Sequence, residues 1–224
     1  MSTKAEIISF GNPQVSGIWQ SPSRPRACYV MAHGAGAGMR HAMLEAVATG
    51  LVSEGIACLR YQFPYMERGS KRPDPPKVCH ATVREAVAAA AKRSSAPLFA
   101  GGRSFGGRMT SQAQALAPLP AVRGLAFLGF PLHAARKPSI ERAEHLDAVK
   151  VPMLFLQGTQ DELAELELLQ SVTNSLGKRA TLSLLAEADH SFHAPKRSGR
   201  TDAQRLEDLT HTLAEWLKSN GVID

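Results

Sequence analysis

The stretch GGRSFGG, Gly101 to Gly107, decides how the rest of the chain reads. It sets one serine among four glycines, directly after the apolar run PLFA. A plain turn needs one such glycine or two. Gly102 to Gly106 has the spacing G-x-S-x-G, in which a serine stands on a very tight strand-to-helix turn. On that reading Gly102 and Gly106 clear space around a strained Ser104, while Gly101 and Gly107 ease the packing of strand against helix. The turn lifts the serine oxygen above a sheet and aims the next backbone N–H, that of Phe105, at the place where an oxyanion would form. The competing reading is a glycine-rich turn in which Ser104 only caps the following helix.

The surroundings supply the strand and the helix that the turn requires. PLFAGG leads in as a strand, and a helix runs out through Gln112, Ala113 and Leu116. Upstream, ACYVMAHG (Ala27 to Gly34) and IACLRYQF (Ile56 to Phe63) are strand-like, with a helical stretch between them that Gly55 stops. CHATVREAVAAAAKR (Cys79 to Arg93) is an alanine-driven helix whose closing Lys92 and Arg93 suit its C-terminus. Downstream, GLAFLGF, PMLFLQG and ATLSLLAEA are further strands. Leu163, Leu166, Leu169 and Val172 follow helical spacing. A last helix opens on a possible Thr201–Gln204 capping box and carries the stripe Leu206, Leu209, Leu213, Trp216 and Leu217.

Strands alternating with helices predict an α/β fold, a mostly parallel twisted sheet with helices on both faces. ISF and VSGIWQ, around Asn12-Pro13, predict a leading antiparallel hairpin. No linker or repeat divides the chain, so residues 1–224 read as a single domain. Two segments break the alternation. Pro64 to Pro76 is a proline-punctuated basic loop, and Pro131 to Lys150 predicts a short helix pair or a small cap. Loops at strand C-termini are where α/β proteins bind ligands.

Composition narrows the function classes. With 44% apolar and 21% charged residues the chain reads as an ordinary globular protein. No apolar stretch approaches the roughly 20 residues that span a bilayer, and the opening MSTKAEIISF is too polar for a secretory leader. Cys28, Cys58 and Cys79 form no CxxC pair and read as buried thiols, which points to the cytoplasm. The net charge of +6 is scattered, and its densest cluster, Arg68 to Lys77, is broken by prolines. A basic but ordinary surface is therefore expected, with no nucleic-acid or membrane partner. Nothing in the sequence marks an oligomeric interface.

Three more features stand at predicted strand ends. His33-Gly34-Ala35-Gly36-Ala37-Gly38 is a loop whose backbone donors can bend back toward the serine. The Ala35 N–H is the candidate second oxyanion donor, with Gly36 next; His33 is expected to anchor the loop by hydrogen bonds. A dinucleotide fingerprint fails there, because the third glycine position holds Met39 and the following strand carries Arg60 instead of an acid. Asp161 follows PMLFLQG, where a carboxylate can orient a histidine, with Glu162 as the alternative and an N-cap as the purely structural role. ADHSFH supplies His190 as the candidate general base, with His193 read as a surface loop residue. Asp189, adjacent to His190, is too divergent to be its acid. The chain order Ser104, Asp161, His190 differs from that of the common serine proteases.

HGAGAG, RYQFPY (Arg60 to Tyr65), GGRSFGGR (Gly101 to Arg108), GTQDE and DHSF together resemble the α/β-hydrolase superfamily, in particular its compact dienelactone-hydrolase-like branch. The resemblance runs from about Ala27 to the last helix. It implies about eight strands, a minimal cap, a Ser-Asp-His triad and no metal or organic cofactor. Dienelactone hydrolases proper carry a cysteine at the elbow, so their substrate does not transfer to a chain with Ser104.

The expected function is a carboxylesterase-like serine hydrolase acting on a small acyl compound. The alternatives are a thioesterase or peptidase on the same fold, or a non-catalytic protein that binds a partner. Gly34, Gly36, Arg68 and His133 are expected to contact substrate. Lys71, Arg72, Arg136 and Lys137 could add a preference for anionic groups, against the plainer reading of solvated loop charges. Arg103 is expected to point away from the site into a structural ion pair.

Overall fold

The apolar run before the GGRSFGG turn is an interior strand of an eight-stranded sheet. The computed structural model describes residues 5–221 apart from Lys196 and Ser198. The strands are β1 (Glu6–Phe10), β2 (Val15–Gln20), β3 (Ala27–Ala32), β4 (Ile56–Tyr61), β5 (Leu98–Arg103), β6 (Val122–Leu128), β7 (Met153–Gly158) and β8 (Ala180–Leu185). They lie in the order β1-β2-β4-β3-β5-β6-β7-β8. The leading hairpin β1–β2 is antiparallel, and β2 joins β4 antiparallel. From β4 to β8 every pairing is parallel.

Residues of β3, β4 and β7 are buried throughout, which explains their continuous apolar runs. Successive side chains serve opposite layers. Cys28, Val30 and Ala32 of β3 join one core layer, and Ala27, Tyr29 and Met31 join the other. The first layer is closed by α3 (Pro76–Arg93), α4 (Phe105–Leu116) and α5 (Leu166–Leu176). The second is closed by α1 (Ala42–Ser53) and α6 (Asp202–Ser219). Thr201 and Gln204 do form a reciprocal capping box at the start of α6.

The two irregular segments resolve differently from the expectation. Pro64–Glu67 is a short helix, α2, and the prolines end by opening α3, with Pro76 at its first helical position. Pro131 to Lys150 forms neither a helix pair nor a cap. It holds a 3-10 helix, Glu141–Ala148, whose Ala143 and Leu146 are buried in the core. The helix expected from Leu163 begins at Leu166, because the Asp161 carboxylate accepts the Leu163 N–H at 2.8 Å and holds the preceding residues in a turn. Among the described residues no helix is long and apolar enough to cross a membrane.

Candidate active site

Ser104 stands between the end of β5 and the first residue of α4, at φ 49° and ψ −118°. A non-glycine residue rarely adopts positive φ, so the surroundings must impose it. Here they do. The Ser104 N–H donates to the Leu128 carbonyl of β6 at 3.1 Å, and the Ser104 carbonyl accepts from Arg108 N–H at 3.1 Å.

Gly107 eases the packing of α4 on β5 as expected, while Gly102 and Gly106 make room for groups other than Ser104. A side chain at Gly102 would drive into the backbone of Ala32, and one at Gly101 into the carbonyl of Ala126. A Cβ at Gly106 would lie 2.5 Å from the His33 carbonyl and 2.7 Å from Ala32 Cβ. At Gly107 it would lie 2.7 Å from the Gly102 carbonyl. The glycines therefore clear room for neighbouring backbone, not for the serine side chain itself. They let β5 and α4 press against the end of β3, where the HGAGAG loop begins.

Asp161 lies just past β7 and His190 past β8; His190 reaches Ser104, and Asp161 reaches His190. His190 Nε2 is 2.8 Å from Ser104 Oγ. His190 Nδ1 is 2.7 Å from Asp161 Oδ2. With the Nδ1 proton donated to the carboxylate, Nε2 is the acceptor facing the hydroxyl. The Asp161 side chain is fully buried, while the His190 side chain keeps 20% of its exposure. The acid is thus shielded and the base reaches solvent. Asp161 caps no helix.

The histidine turn is itself braced. Asp189 Oδ1 accepts the N–H groups of Ser191 at 2.7 Å and His193 at 3.0 Å, and the Asp189 N–H donates to the His193 carbonyl at 2.8 Å. Asp189 shapes the loop and leaves His190 to Asp161. His193 pairs at the surface with Asp202. Gly129, at φ +71°, brings the backbone after β6 against the His190 ring, where a Cβ would lie 3.4 Å from Cε1.

Gln157 was not singled out from the sequence. It is fully buried at the end of β7. Its Nε2 donates to Asp161 Oδ2 at 2.5 Å, and its Oε1 accepts the Phe130 N–H at 2.8 Å. The available signal was a lone amide closing the apolar run PMLFLQG.

The HGAGAG loop and the start of α4 carry the two N–H groups expected to face an oxyanion. Among the described residues no acceptor engages the N–H of Phe105 or of Ala35. Gly36 N–H, the alternative donor, is engaged by the Tyr65 hydroxyl at 3.3 Å. His33 anchors this loop: Nδ1 donates to the Gly34 carbonyl at 2.7 Å and Nε2 accepts the Phe63 N–H at 3.1 Å. Burial lowers its pKa to about 4, so the ring is neutral, as an acceptor at Nε2 requires.

Arg68 pairs with Asp74 at 2.5 Å. His133 is buried with Nδ1 on the Ala134 carbonyl at 2.9 Å and Nε2 accepting Glu165 N–H at 3.4 Å, which makes it a tie for its own segment. Arg103 forms no ion pair among the described residues. Its Nη2 donates instead to Ser191 Oγ at 3.0 Å, on the histidine turn.

A sequence model described as an alpha/beta hydrolase domain matches residues 25–218. Solved structures share the fold. A dienelactone hydrolase from Anabaena variabilis is 19% identical, with 96% of this chain and 97% of that one covered and a TM-score of 0.77. XC6422 from Xanthomonas campestris, described as an a/b serine hydrolase without lid, is 19% identical over 97% of each chain, with a TM-score of 0.74. TT1662 from Thermus thermophilus is 20% identical over 97% of this chain and 99% of its own, with a TM-score of 0.69.

Proposed function

The chain belongs to the alpha/beta hydrolase domain family, and from that premise we propose that it is a serine hydrolase acting on a carboxylic ester or similar small acyl compound. The observation that carries this reading is the unbroken hydrogen-bonded line from Ser104 Oγ through His190 to buried Asp161, at 2.8 and 2.7 Å. Ser104 Oγ attacks the acyl carbon while its proton passes to His190 Nε2. The carbonyl oxygen becomes an oxyanion facing the N–H groups of Phe105 and Ala35. The tetrahedral adduct collapses to an acyl-Ser104 ester. The bond to the leaving oxygen breaks, and that oxygen takes the proton from His190. A water then repeats the sequence with His190 as base and frees the acid and Ser104. Asp161 holds the ring orientation and balances the imidazolium.

The chain's own residues suffice for these steps, with a small acyl molecule as partner and no cofactor. The three buried free thiols support a cytoplasmic setting.

Fluorophosphonate labelling tests the nucleophile. Wild-type protein should label, and Ser104→Ala should lose labelling and ester turnover by on the order of 10⁴-fold or more. Equal labelling of both proteins would remove Ser104 from the role. A panel of p-nitrophenyl esters, acyl-CoA thioesters and aminoacyl amides then assigns the acyl bond.

A further inference from the structure

Arg103 immediately precedes the candidate nucleophile, and its side chain spans the two loops that meet over it. Nη2 donates to Ser191 Oγ at 3.0 Å, one residue beyond His190. Nη1 lies on the other side, at the HGAGAG loop. The point where a Gly34 side chain would begin is 3.8 Å from Arg103 Nη1 and also 3.8 Å from Ser104 Cβ. Gly34 thus lies within contact range of the guanidinium, the Arg103 carbonyl and the nucleophile's residue alike.

The guanidinium is poorly satisfied by the protein. Of its five N–H donors, one finds an acceptor among the described residues. Nε is closed off from solvent without a partner; Nη1 also lacks one but remains accessible. A closed-off Nε without a partner is shared by Arg60, Arg108 and Arg205, but Arg84 and Arg60 place more of their other donors. Arg84 donates to the carbonyls of Ala113, Ala117 and Pro118, and Arg60 to Met39 and Gln20. The acids whose charge acts on Arg103 are Asp189 and Asp161, neither within ion-pair distance. Both carboxylates are occupied, Asp161 by His190, Gln157 and Leu163, Asp189 by two backbone N–H groups. A partly buried cation with free donors beside a reactive centre suits an anionic ligand group.

We propose that Arg103 is an anion subsite of the acyl pocket, and that the preferred substrate is an acyl ester whose acyl chain carries a carboxylate. This rests on reading Ser104 as the nucleophile. It is separate from the loop cations first considered for that preference, of which Arg68 pairs with Asp74.

Two esters differing in one group test it: mono-p-nitrophenyl adipate and p-nitrophenyl hexanoate. Wild-type kcat/KM should favour adipate by about 10-fold or more, the scale of one charge-assisted hydrogen bond. Added salt should shrink that preference. Arg103→Gln and Arg103→Lys should collapse the adipate-to-hexanoate ratio, read as a ratio whatever happens to either rate. If Arg103 only props the histidine turn, both rates fall together and the ratio stays, which overturns the proposal. A wild-type ratio of one or less overturns it as well, while leaving the hydrolase reading in place.

Calorimetry separates the two readings if no ester is hydrolysed. Adipate should bind the Ser104→Ala protein about 10-fold tighter than the Ser104→Ala, Arg103→Gln protein. Equal binding to both proteins, or no binding to either, overturns the proposal independently of turnover.

Discussion

Gln157 gives an amide hydrogen to the same Asp161 oxygen that receives His190. A second donor on a buried carboxylate favours its charged form, which is the form that can balance an imidazolium. Gln157→Leu should therefore lower kcat by roughly 10-fold or more with KM little changed, since the amide stabilises charge that develops during the reaction. It should also cost about 1–3 kcal/mol of stability, because the Phe130 N–H loses its buried acceptor. Gln157→Glu should instead move the acid limb of the kcat/KM profile to higher pH, as a second carboxylate beside Asp161 opposes ionisation. Profiles unmoved in both variants would reduce Gln157 to packing. Nothing local in PMLFLQG separates this glutamine from a strand-end residue; its acceptor, Asp161, arrives from a turn beyond it and its donor, the Phe130 N–H, from the adjoining strand's exit. Ser104 was legible because its glycine pattern is contiguous in the sequence, although what three of those glycines make room for, Ala126, Ala32 and His33, lies elsewhere in the chain. Arg103 was misread for the opposite reason. Its sequence neighbours say nothing of Ser191, which is distant in the chain.

Among the elements, α6 was the easiest to read and is the simplest to test. Thr201 accepts the Gln204 N–H at 3.2 Å, and the Gln204 side chain reaches back to the Thr201 N–H at 2.9 Å. Thr201→Ala should cost about 1 kcal/mol in denaturant titration and leave esterase rates alone, because this cap lies outside the line from Ser104 to Asp161. A loss of rate at full stability would mean that the start of α6 helps to hold the histidine turn. Capping and apolar stripes are local signals, so such helices can be placed from sequence. The start of α5 could not be, because Leu163 continues the helical spacing while the Asp161 carboxylate takes its N–H for a turn. The segment from Pro131 to Lys150 was equally opaque. Its 3-10 helix is held by burial of Ala143 and Leu146 and by Arg142 donating to the His133 carbonyl at 2.8 Å, none of which follows from spacing.

At the scale of the molecule, buried His33 and half-buried His145 set an acid limit on stability. Burial lowers His33 to about 4, and burial with Arg108 and His80 nearby lowers His145 to about 4. In the unfolded chain both return to about 6.5. The unfolded state then binds more protons between pH 6.5 and 4, so stability falls as pH drops through that window and is fully present above it. Each group contributes up to about 1.4 kcal/mol per pH unit within the window. Urea midpoints should be flat between about pH 7 and 8 and decline from 6.5 to 4, with His145→Gln removing its share of the slope; a flat profile down to pH 4 would contradict both assignments. The sequence by itself determined the alternation of strands and helices, the parallel sheet that follows from it, and the elbow at Ser104, because these depend on periodicity and on a contiguous glycine pattern. Only the tertiary structure decided that His190 touches both Ser104 and Asp161, that Gln157 joins them, and that Arg103 reaches Ser191 on the histidine turn. Those contacts join residues from the ends of separate strands, and the stacking of strand ends at one edge of the sheet is a property of the assembled fold.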